Sequence, residues 1–442
     1  MHLPKVLIIG QPFDKNTGGG ITLSNLFQGW GSDKLAVACT GYLLSPNIDF
    51  SICNNYYQLG DEEFKLLFPF NRLKRKYNSG RLKFEEKQVS NLKIKKSETK
   101  EKILAQFFFP FLEYTGLTHS ISRVELTDKF CSWVREFNPD VIYAQAATRS
   151  NLLFCSLVAS HFNKPFIFHM MDDWPSTIVG NGPFEKYWSK KIDNELRILL
   201  DKADVLVSIS TFMSEEYKIR YGKEFIVFHN PIDIKFWGRY QKKDYKLSDC
   251  PKILYAGRTG LGIEDSLEVI AKSIQKLNED LLLSIKFVLS IQQIPPWVKN
   301  YSCIELKSYT SYDLVPKTFS EADFLILPYD FSAKSIKYIQ YSMPTKGPEY
   351  MISGTPIILF APQATGIVKY FQQNKCAKVV TDNNINSLSN SIKELIYNDS
   401  ERQDIAQNAI KSASEKFNSV KIIEDFRKMI ISCTKNFRSN NV

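Results

Sequence analysis

The sequence lacks the patterns that mark membrane-spanning, secreted and metal-binding proteins. No window approaches the roughly 20 apolar residues that a membrane-spanning helix needs. The apolar run of residues 5–10 is too short for a signal peptide. The eight cysteines are scattered and form no C-x-x-C pair or other metal-ligand spacing. Because scattered single cysteines suit a reducing compartment, we expect a cytoplasmic protein without a metal or other cofactor.

Two common phosphate-binding motifs are also missing. Gly18, Gly19 and Gly20 follow the first apolar run, but they match neither G-x-x-x-x-G-K-[ST] nor G-x-G-x-x-G. They form either a flexible turn or a cradle of backbone N–H groups facing phosphates that are held mainly elsewhere. No nucleic-acid-binding module accompanies the basic residues, so we expect no nucleic-acid partner.

Length and residue pattern predict two α/β domains. At 442 residues the chain is long for one core, and 44% hydrophobic residues indicate a globular protein. In each half, helical patterns alternate with short apolar runs that are typical of parallel strands covered on both faces. We therefore predict two Rossmann-like, doubly wound domains. The predicted strands are residues 6–9, 35–39, 140–144, 165–169, 204–209 and 225–229, then 252–256, 285–290, 303–306, 323–327, 356–360 and 377–380.

The domain boundaries follow from breaks in this pattern. Residues 1–235 form the predicted first domain, and residues 236–250 form a polar hinge without periodicity. Residues 251–415 form the predicted second domain, and residues 416–442 form a terminal helix and tail. The helical pattern runs without interruption from about residue 401 to 433, which predicts one long helix.

A basic and aromatic segment, residues 64–112, interrupts the first domain. Between Lys65 and Lys102 there are 13 Lys and Arg residues and 4 Asp and Glu residues, so nearly the whole net charge of +10 lies there. Aromatic runs border this charge on both sides. The segment is either a solvated surface helix followed by core, or an excursion that lies on an anionic membrane or holds an anionic lipid head group.

The most informative stretch lies between two apolar runs late in the second half. It predicts a short helix with Ser342 and Thr345 as candidate caps and Gly354 at its end. Lys346 and Glu349 lie three residues apart and therefore share one face of the first turn. Helix N-termini attract phosphate, a lysine adds positive charge, and a carboxylate accepts hydrogen bonds from ribose hydroxyls. We interpret the stretch as half of a sugar-nucleotide site.

A second basic position follows the first strand of the second domain. Gly257 permits a turn directly at the carboxyl end of that strand, where ligands of open α/β sheets bind. Arg258 would place a fixed positive charge there against a phosphate. A lone arginine at such an edge is more often part of a surface ion pair. Its place on the same predicted sheet as Lys346 and Glu349 favours a binding role.

His169 ends a predicted strand and is followed closely by Asp172 and Asp173. A lone histidine is usually structural, but the carboxyl end of a strand is a cleft position and favours contact with a ligand. Paired aspartates can hold a divalent cation. Side chains adjacent in sequence tend to point apart, so we predict no metal here.

In order and spacing, these motifs resemble those of the retaining GT-B glycosyltransferases of family 4 across most of the chain. No single motif is diagnostic, whereas the ordered set is fairly specific. The resemblance rests on the glycine loop, on His169 with its Asp-Trp, and on Ala203-Asp204-Val205-Leu206-Val207-Ser208, Asn230-Pro231-Ile232-Asp233, Tyr255-Ala256-Gly257-Arg258 and Lys346-x-x-Glu349-Tyr350-Met351.

The resemblance implies an architecture and a set of roles. Two Rossmann-like domains would face each other across a cleft, with a terminal helix crossing back to the first and a nucleotide-sugar donor bound chiefly by the second. Arg258 would steady the leaving diphosphate, Glu349 would bind the ribose, and His169 would contact the transferring sugar. Gly19 and Gly20 would approach the diphosphate from the other side. Retaining members are thought to use no enzyme nucleophile, so catalysis would rest on charge stabilisation and positioning.

Two positions depart from the family pattern. Ile263 stands where the family often has a lysine five residues after the arginine, so Lys346 would have to supply the second cation. Tyr341 stands where the family often has a glutamate, which leaves recognition of the sugar to other groups of residues 329–342, with Tyr341 and Ser342 as candidate contacts. Asp172 and Asp173 are the candidate contacts of the first domain to sugar or acceptor.

The leading hypothesis is a retaining glycosyltransferase that moves a sugar from a nucleotide-sugar donor to a glycan or lipid-linked acceptor. Its expected setting is cell-surface polysaccharide biosynthesis at the inner face of the membrane. Two alternatives stay open: a nucleotide-sugar epimerase on the same fold, and a non-catalytic scaffold that docks on membranes through the basic segment.

Overall fold

The structure, a computed structural model, describes residues 3–68, 70, 77–82, 109–180, 182–308 and 310–440. Most of the predicted membrane segment, residues 64–112, lies outside the described residues. The chain divides into two compact units. The first is Met1–His229 together with Ile422–Val442, and the second is Asn230–Lys421.

The first unit is built on an eight-stranded sheet with the order β10-β9-β8-β7-β1-β2-β3-β5, parallel except for β5. Two further short strands, β4 and β6, pair with each other in antiparallel fashion. The strands are β1 (Val6–Ile9), β2 (Leu35–Thr40), β3 (Tyr56–Leu59), β4 (Phe64–Leu66), β5 (Gly80–Arg81), β6 (Ser122–Val124), β7 (Val141–Ala144), β8 (Phe166–Met170), β9 (Val205–Ser208) and β10 (Ile226–Val227).

Helices connect these strands. Four of them begin with a Ser or Thr whose side chain accepts a hydrogen bond from a backbone N–H of the first turn, which satisfies a group that the helix cannot pair itself. The caps are Thr17, Thr127, Thr148 and Ser210. The helices are α1 (Gly18–Leu26), α2 (Phe109–Thr115), α3 (Asp128–Phe137), α4 (Arg149–His161), α5 (Glu185–Lys202) and α6 (Thr211–Tyr221).

The second unit is a six-stranded, fully parallel sheet with the order β13-β12-β11-β14-β15-β16. Its strands are β11 (Lys252–Gly257), β12 (Lys286–Ile291), β13 (Ile304–Leu306), β14 (Phe324–Pro328), β15 (Ile357–Phe360) and β16 (Lys378–Val380). Its helices are α7 (Ile234–Trp237), α8 (Glu264–Leu281), α9 (Val315–Glu321), α10 (Ala333–Ile339), α11 (Lys346–Ser353), α12 (Gly366–Asn374), α13 (Ile385–Tyr397) and α14 (Asp399–Lys416). A last helix, α15 (Ser419–Asn440), follows.

Each sheet is covered on both faces, as the doubly wound prediction requires. In the second unit, successive residues of β11 alternate between two cores: Ile253 and Tyr255 pack with α8 and α13, whereas Leu254 packs with α11 and α12. Each predicted strand is present, with ends that differ by at most two residues. The predicted α/β fold class, with two Rossmann-like domains, is confirmed.

Helix α15 completes the core of the first unit. The ring of Phe426 lies edge-on against Phe27, Tyr143 and Phe228, with centroids 5.1, 5.9 and 5.2 Å away. Aromatic rings packed edge to face bury large apolar areas in a preferred geometry. The prediction that the terminal helix returns to the first domain is confirmed.

The prediction of one long helix over residues 401–433 is wrong. The helix breaks at Phe417 and Asn418, because the backbone there pairs with another segment. Ile232 N–H donates to the Phe417 carbonyl at 2.8 Å, and Ser419 N–H donates to the Ile232 carbonyl at 3.0 Å. A backbone engaged in this bridge cannot continue the helical hydrogen-bond ladder.

Residues 236–250, the predicted hinge, are part of the second unit. Lys242 N–H donates to the Ser353 carbonyl at 2.8 Å, and its Nζ donates to the Ala322 carbonyl at 2.9 Å. Ser248 is bound to the Asp323 carboxylate through both its N–H and its hydroxyl. The structure places the division between His229 and Asn230 rather than after residue 235.

Gly10, which follows β1, tests how tightly the first sheet is assembled. Its φ is +104°, and a Cβ there would lie 2.1 Å from the carbonyl oxygen of Gln145. We expect Gly10→Ala to lower the free energy of unfolding by about 2 kcal/mol or more in urea titrations. Gly18→Ala is the control, since nothing lies within 4 Å of its added Cβ, and it should be neutral or stabilise by up to about 1 kcal/mol. An equal loss of stability in both variants would contradict the close approach of Gly10 to the Gln145 carbonyl.

Candidate functional site

The order of the second sheet reverses at β11. From β11 the chain continues outward to β12 and β13 on one side, and to β14, β15 and β16 on the other. The carboxyl ends of β11 and β14 therefore border the crevice where ligands of open α/β sheets bind. Gly257 is the last residue of β11, and Lys346 is the first residue of α11, which lies between β14 and β15. The predicted residues Gly257 and Lys346 meet at this end.

The ammonium group of Lys346 lies directly on β11. Its Nζ is 4.8 Å from the centroid of the Tyr255 ring, a cation–π distance. Tyr255 and Gly257 are two residues apart on one strand and therefore face the same side. A Cβ on Gly257 would lie 1.5 Å from Nζ of Lys346. Residue 257 must be glycine for Lys346 to occupy this position.

Glu349 lies one turn further along α11. Both Glu349 and Lys346 are partly buried, and within the described residues neither side chain makes a hydrogen bond or an ion pair. Burial raises the pKa of Glu349 to about 7, opposed by the charge of Lys346. Burial likewise lowers the pKa of Lys346 to about 8, opposed by Glu349 and reinforced by Arg258. The site thus holds an unsatisfied positive and an unsatisfied negative group side by side.

Arg258 is exposed at the same end of the sheet. Its Nη1 donates to the Leu261 carbonyl at 2.9 Å, while its own carbonyl accepts a hydrogen bond from the Tyr255 hydroxyl at 2.5 Å. Since its charge lowers the pKa of Lys346, the two cations share one region of positive potential. That region is suited to a group with several negative charges.

The start of α11 differs from the sequence prediction. Thr345 precedes the helix, but its side chain makes no capping bond, and Ser342 lies upstream in the loop after α10. Tyr341 and Ser342 are both partly buried in that loop. Gly354 ends the helix with a φ of +73°, as predicted. Tyr350 holds α11 to the sheet, because its hydroxyl accepts the Ala256 N–H at 3.2 Å.

In the first unit, the predicted glycine loop is wrong: Gly18, Gly19 and Gly20 form the first turn of α1. Asp14 fixes the approach to this turn, since its Oδ1 accepts the N–H groups of Asn16 and Thr17 at 2.8 and 2.9 Å. A Cβ on Gly20 would lie 2.6 Å from the Cβ of Asp14.

The Gly20 N–H is bound by Thr17, at 3.2 Å. Among the described residues, the N–H groups of Gly18 and Gly19 have no acceptor. Free N–H groups at a helix start attract anions. The structure thus replaces the flexible turn by the start of a helix, and the amide cradle stays a prediction.

His169 lies on β8 and is fully buried. Its Nδ1 is hydrogen-bonded to the Tyr143 hydroxyl, which in turn accepts from Gln145 Nε2 at 3.3 Å. Its Nε2 has no partner within the described residues. Burial lowers the pKa of His169 to about 3, so the ring is neutral. In the tautomer in which the Tyr143 hydroxyl donates to Nδ1, the proton of the imidazole is on Nε2.

Asp173 is occupied by other protein groups. It is buried, and its carboxylate accepts from Tyr217 at 2.8 Å, Arg220 at 2.9 Å and Ser176 at 2.6 Å. These bonds give Asp173 a structural role in joining β8 to α6. Asp172, next to it, is exposed.

Sequence reasoning named Tyr255 only as part of a motif and did not assign it a role. The signal was present, because alternation along a strand places residue 255 on the face that Gly257 leaves open. Asp14 was missed as well. An aspartate two residues before a turn is a common way to hold the backbone N–H groups that follow it.

Within the described part of the chain, no group of three or more His, Cys, Asp or Glu side chains could hold a metal ion. No helix over the same residues has the length and apolar character needed to cross a membrane.

No protein-family model and no curated protein sequence matches the chain, but solved structures do. Sucrose-phosphate synthase from Thermosynechococcus elongatus is 12% identical at a TM-score of 0.61, over 97% of this chain and 98% of that one. HepE from Anabaena, in complex with UDP-glucose, is 14% identical at 0.57, over 98% and 100%. A glycosyltransferase from Rickettsia africae is 13% identical at 0.58, over 99% and 100%.

The chain has the GT-B fold. The likeness to these GT-B structures spans both units, and at such low identities it concerns the fold and not the activity. In this GT-B chain, the residues gathered at the end of the second sheet are Gly257, Arg258, Lys346 and Glu349.

The charges on Lys346 and Glu349 should leave a signature in the stability of the protein. Between pH 4.5 and 7 the folded state keeps a proton on Glu349 that the unfolded chain has lost, so its contribution to stability falls as pH rises. Between pH 8 and 10.5 the unfolded chain keeps the proton of Lys346 longer, so that contribution rises with pH. We expect Lys346→Met/Glu349→Gln to exceed wild type in free energy of unfolding, most between pH 7 and 8.

The control for this measurement is Lys317→Met/Glu321→Gln. These two side chains form an exposed pair on α9, with Nζ and Oε1 3.6 Å apart. Urea titrations from pH 4 to 10 should show no maximum in the stability difference for the control. If the difference in free energy of unfolding between Lys346→Met/Glu349→Gln and wild type does not change with pH, the charges assigned to Lys346 and Glu349 are contradicted.

Proposed function

We propose that the protein is a retaining glycosyltransferase that uses a nucleotide-sugar donor. The observation that carries the proposal is the pair of Lys346 and Glu349, which are partly buried beside Arg258 at the switch point of the second sheet and have no hydrogen bond or ion pair among the described residues. A buried charge without a partner is unfavourable unless a ligand supplies one. A nucleoside diphosphate supplies both an anion and a pair of ribose hydroxyls.

In this proposal the two kinds of group divide the donor between them. Lys346 and Arg258 bind the diphosphate, and the Glu349 carboxylate accepts hydrogen bonds from the ribose. The structural likeness to HepE, which was solved with UDP and with UDP-glucose, supports a donor of this class. Neither the base nor the sugar of the donor is assigned.

The chemistry requires a bond exchange at the anomeric carbon of the sugar. The bond from this carbon to the diphosphate oxygen breaks, and the acceptor hydroxyl oxygen forms a new bond on the same face. The acceptor proton passes to the oxygen of the leaving phosphate, so no enzyme nucleophile is used. Lys346 and Arg258 stabilise the negative charge that develops on the leaving group, which is where fixed charges accelerate a reaction most.

The first unit has two groups of its own that suit parts of such a donor. The Nε2 of His169 is buried without a hydrogen-bond partner among the described residues, and we assign it, in the tautomer that carries its proton there, to a hydroxyl of the transferring sugar. The free N–H groups at the start of α1 suit the diphosphate. They include that of Gly19, whereas the N–H of Gly20 is bound by Thr17, and the missing side chain of Gly20 lets Asp14 and Thr17 pack closely against α1.

We further propose a glycan or lipid-linked acceptor, used in cell-surface polysaccharide synthesis on the cytoplasmic face of a membrane. All eight cysteines are free thiols, which suits that compartment. Large aromatic side chains are exposed where the chain enters and leaves the basic segment, at Phe68, Phe111 and Tyr114. Phe184 and Tyr187, whose segment packs on α2 through Gly182, are exposed as well. Aromatic residues beside a basic stretch suit an anionic lipid surface.

The site assignment is tested by single substitutions. We expect Arg258→Ala, Lys346→Ala and Glu349→Ala each to reduce sugar transfer by two or more orders of magnitude, since each removes a group that binds or stabilises the donor. A thermal-shift screen of nucleoside diphosphates and their sugars first identifies the donor, because a site ligand stabilises the folded state. Transfer is then measured with radiolabelled donor and membrane glycolipid extracts.

Lys299→Ala and Glu279→Ala are the controls, being exposed charges elsewhere in the second unit. They should retain wild-type turnover. Near-normal turnover in all three site variants would contradict the assignment of Arg258, Lys346 and Glu349 to the donor site. A donor-only reaction that yields an epimerised nucleotide sugar would identify an epimerase instead, and donor binding without turnover on any acceptor would identify a scaffold.

The membrane proposal is tested with vesicles. We expect the wild-type protein to sediment with vesicles containing anionic phosphatidylglycerol at low salt, and not with pure phosphatidylcholine, because the attraction is electrostatic. Deletion of residues 72–102 should abolish sedimentation, and Phe111→Ser/Tyr114→Ser should weaken it severalfold. Ile219→Ser, at an exposed apolar position on α6, is the control. Unchanged binding after the deletion would mean that the segment is only a solvated surface.

A further inference from the structure

We propose that Tyr255 is a positioning residue that holds both phosphate-binding cations of the second unit. This positioning role rests on the proposed function, in which Lys346 and Arg258 bind a diphosphate. Tyr255 is not assigned to touch the ligand itself, because its side chain is buried under Lys346.

The ring of Tyr255 fixes Lys346. A lysine at the start of a helix ordinarily extends into solvent, where its four-carbon chain is free to rotate. Here the ammonium group lies 4.8 Å from the ring centroid and fills the space that a side chain at residue 257 would need. The ring face is the surface on which the cation rests, and Gly257 is the opening that admits it.

The hydroxyl of Tyr255 fixes Arg258. It donates to the Arg258 carbonyl at 2.5 Å, across the turn that leaves β11. Burial raises the pKa of Tyr255, so the hydroxyl stays protonated and remains a donor. One side chain therefore sets the place of Lys346 with its ring and the course of the backbone at Arg258 with its oxygen.

The position of Ile263 explains why Lys346 needs such a support. Ile263 is 93% buried in the core beside α8 and cannot provide a cation to the crevice. The second cation near Arg258 is instead Lys346 of α11, a helix that follows β14 in the sequence. A long side chain that arrives from another element needs a surface to define its end point, and Tyr255 provides that surface.

The experiment separates ring and hydroxyl with two substitutions. Binding of UDP, used as the probe, is measured by calorimetry from pH 6 to 9.5. The pKa of Lys346 is read by NMR after reductive ¹³C-methylation, with Lys346→Arg to assign the signal. The charged groups that face Lys346 are Glu349 on its own helix and Arg258 after β11; both are present in every variant.

Tyr255→Leu removes the ring. We expect the dissociation constant of UDP at pH 7.5 to rise about tenfold or more, the pKa of Lys346 to fall below about 8, and UDP binding to be lost at a lower pH than in wild type. Tyr255→Phe keeps the ring and removes the hydroxyl. We expect the pKa of Lys346 to stay near its wild-type value while UDP binding weakens by about three- to tenfold, through Arg258.

Phe287→Leu is the matched control, because Phe287 is an equally buried aromatic residue of the same core, on the neighbouring strand β12. It should lose stability in urea titrations while keeping the wild-type UDP affinity and the wild-type pKa of Lys346. If the Tyr255→Leu variant also keeps the wild-type UDP affinity and the wild-type pKa of Lys346, the proposal is overturned. A rise in the pKa of Lys346 in this variant would overturn it as well.

The failure of this proposal is distinct from the failure of the proposed function. If the wild-type protein binds no nucleoside diphosphate, the donor-site assignment falls. The pKa of Lys346 in Tyr255→Leu still reports whether the ring holds the ammonium group, since that measurement uses no ligand. If UDP binds and the Tyr255 variants match wild type, the donor site stands and the positioning role falls.

Discussion

The contact of the Lys346 ammonium group with the surface of β11 determines the form of the candidate site. It requires a residue without a side chain at position 257, an aromatic ring at position 255, and a helix that starts at Lys346 itself. It also brings Glu349 to the same place, because one turn of α11 separates the two charges. Tyr350 then holds that helix to the strand through the Ala256 N–H.

The burial of Lys346 and Glu349 that accompanies this contact is unfavourable for the folded protein alone. Lys346 and Glu349 are withdrawn from water without gaining a hydrogen bond or an ion pair in the described residues. Functional sites commonly reduce stability in this way, because groups arranged for a ligand are poorly satisfied in its absence. A ligand with adjacent anionic and hydroxyl groups satisfies both side chains at once. Its binding would therefore relieve an existing penalty as well as form new bonds.

The α/β architecture could be predicted from the sequence, and each strand predicted from it is present in the structure. The residues that meet at the end of the second sheet could be predicted as well. These follow from local rules: apolar runs, helical spacing, and the placement of strand ends at one edge. The strands β3, β4, β5 and β6 were missed, since none of them is an uninterrupted apolar run: each contains a polar or charged residue. The break at Phe417 was missed because its cause, Ile232, lies almost 200 residues away.

The site shows the same division between local and distant causes. The helix at Lys346 and its end at Gly354 were readable, whereas the caps were not, because Thr345 makes no side-chain bond. The burial of His169 and the use of Asp173 by Arg220 depend on elements far along the chain. No spacing rule connects Lys346 with Tyr255, so their contact became visible only in three dimensions.

Helix α15 has a consequence for how the protein is made. Residues 1–229 leave the ribosome long before residues 422–440, yet the core of the first unit includes Phe426 and Ile430 from that helix. During synthesis, the rings of Phe27, Tyr143 and Phe228 therefore lack their contact with Phe426 until the whole second unit has been translated. The first unit is translated first but finished last, and any chain that stops before residue 422 presents an open aromatic surface of the kind that promotes aggregation.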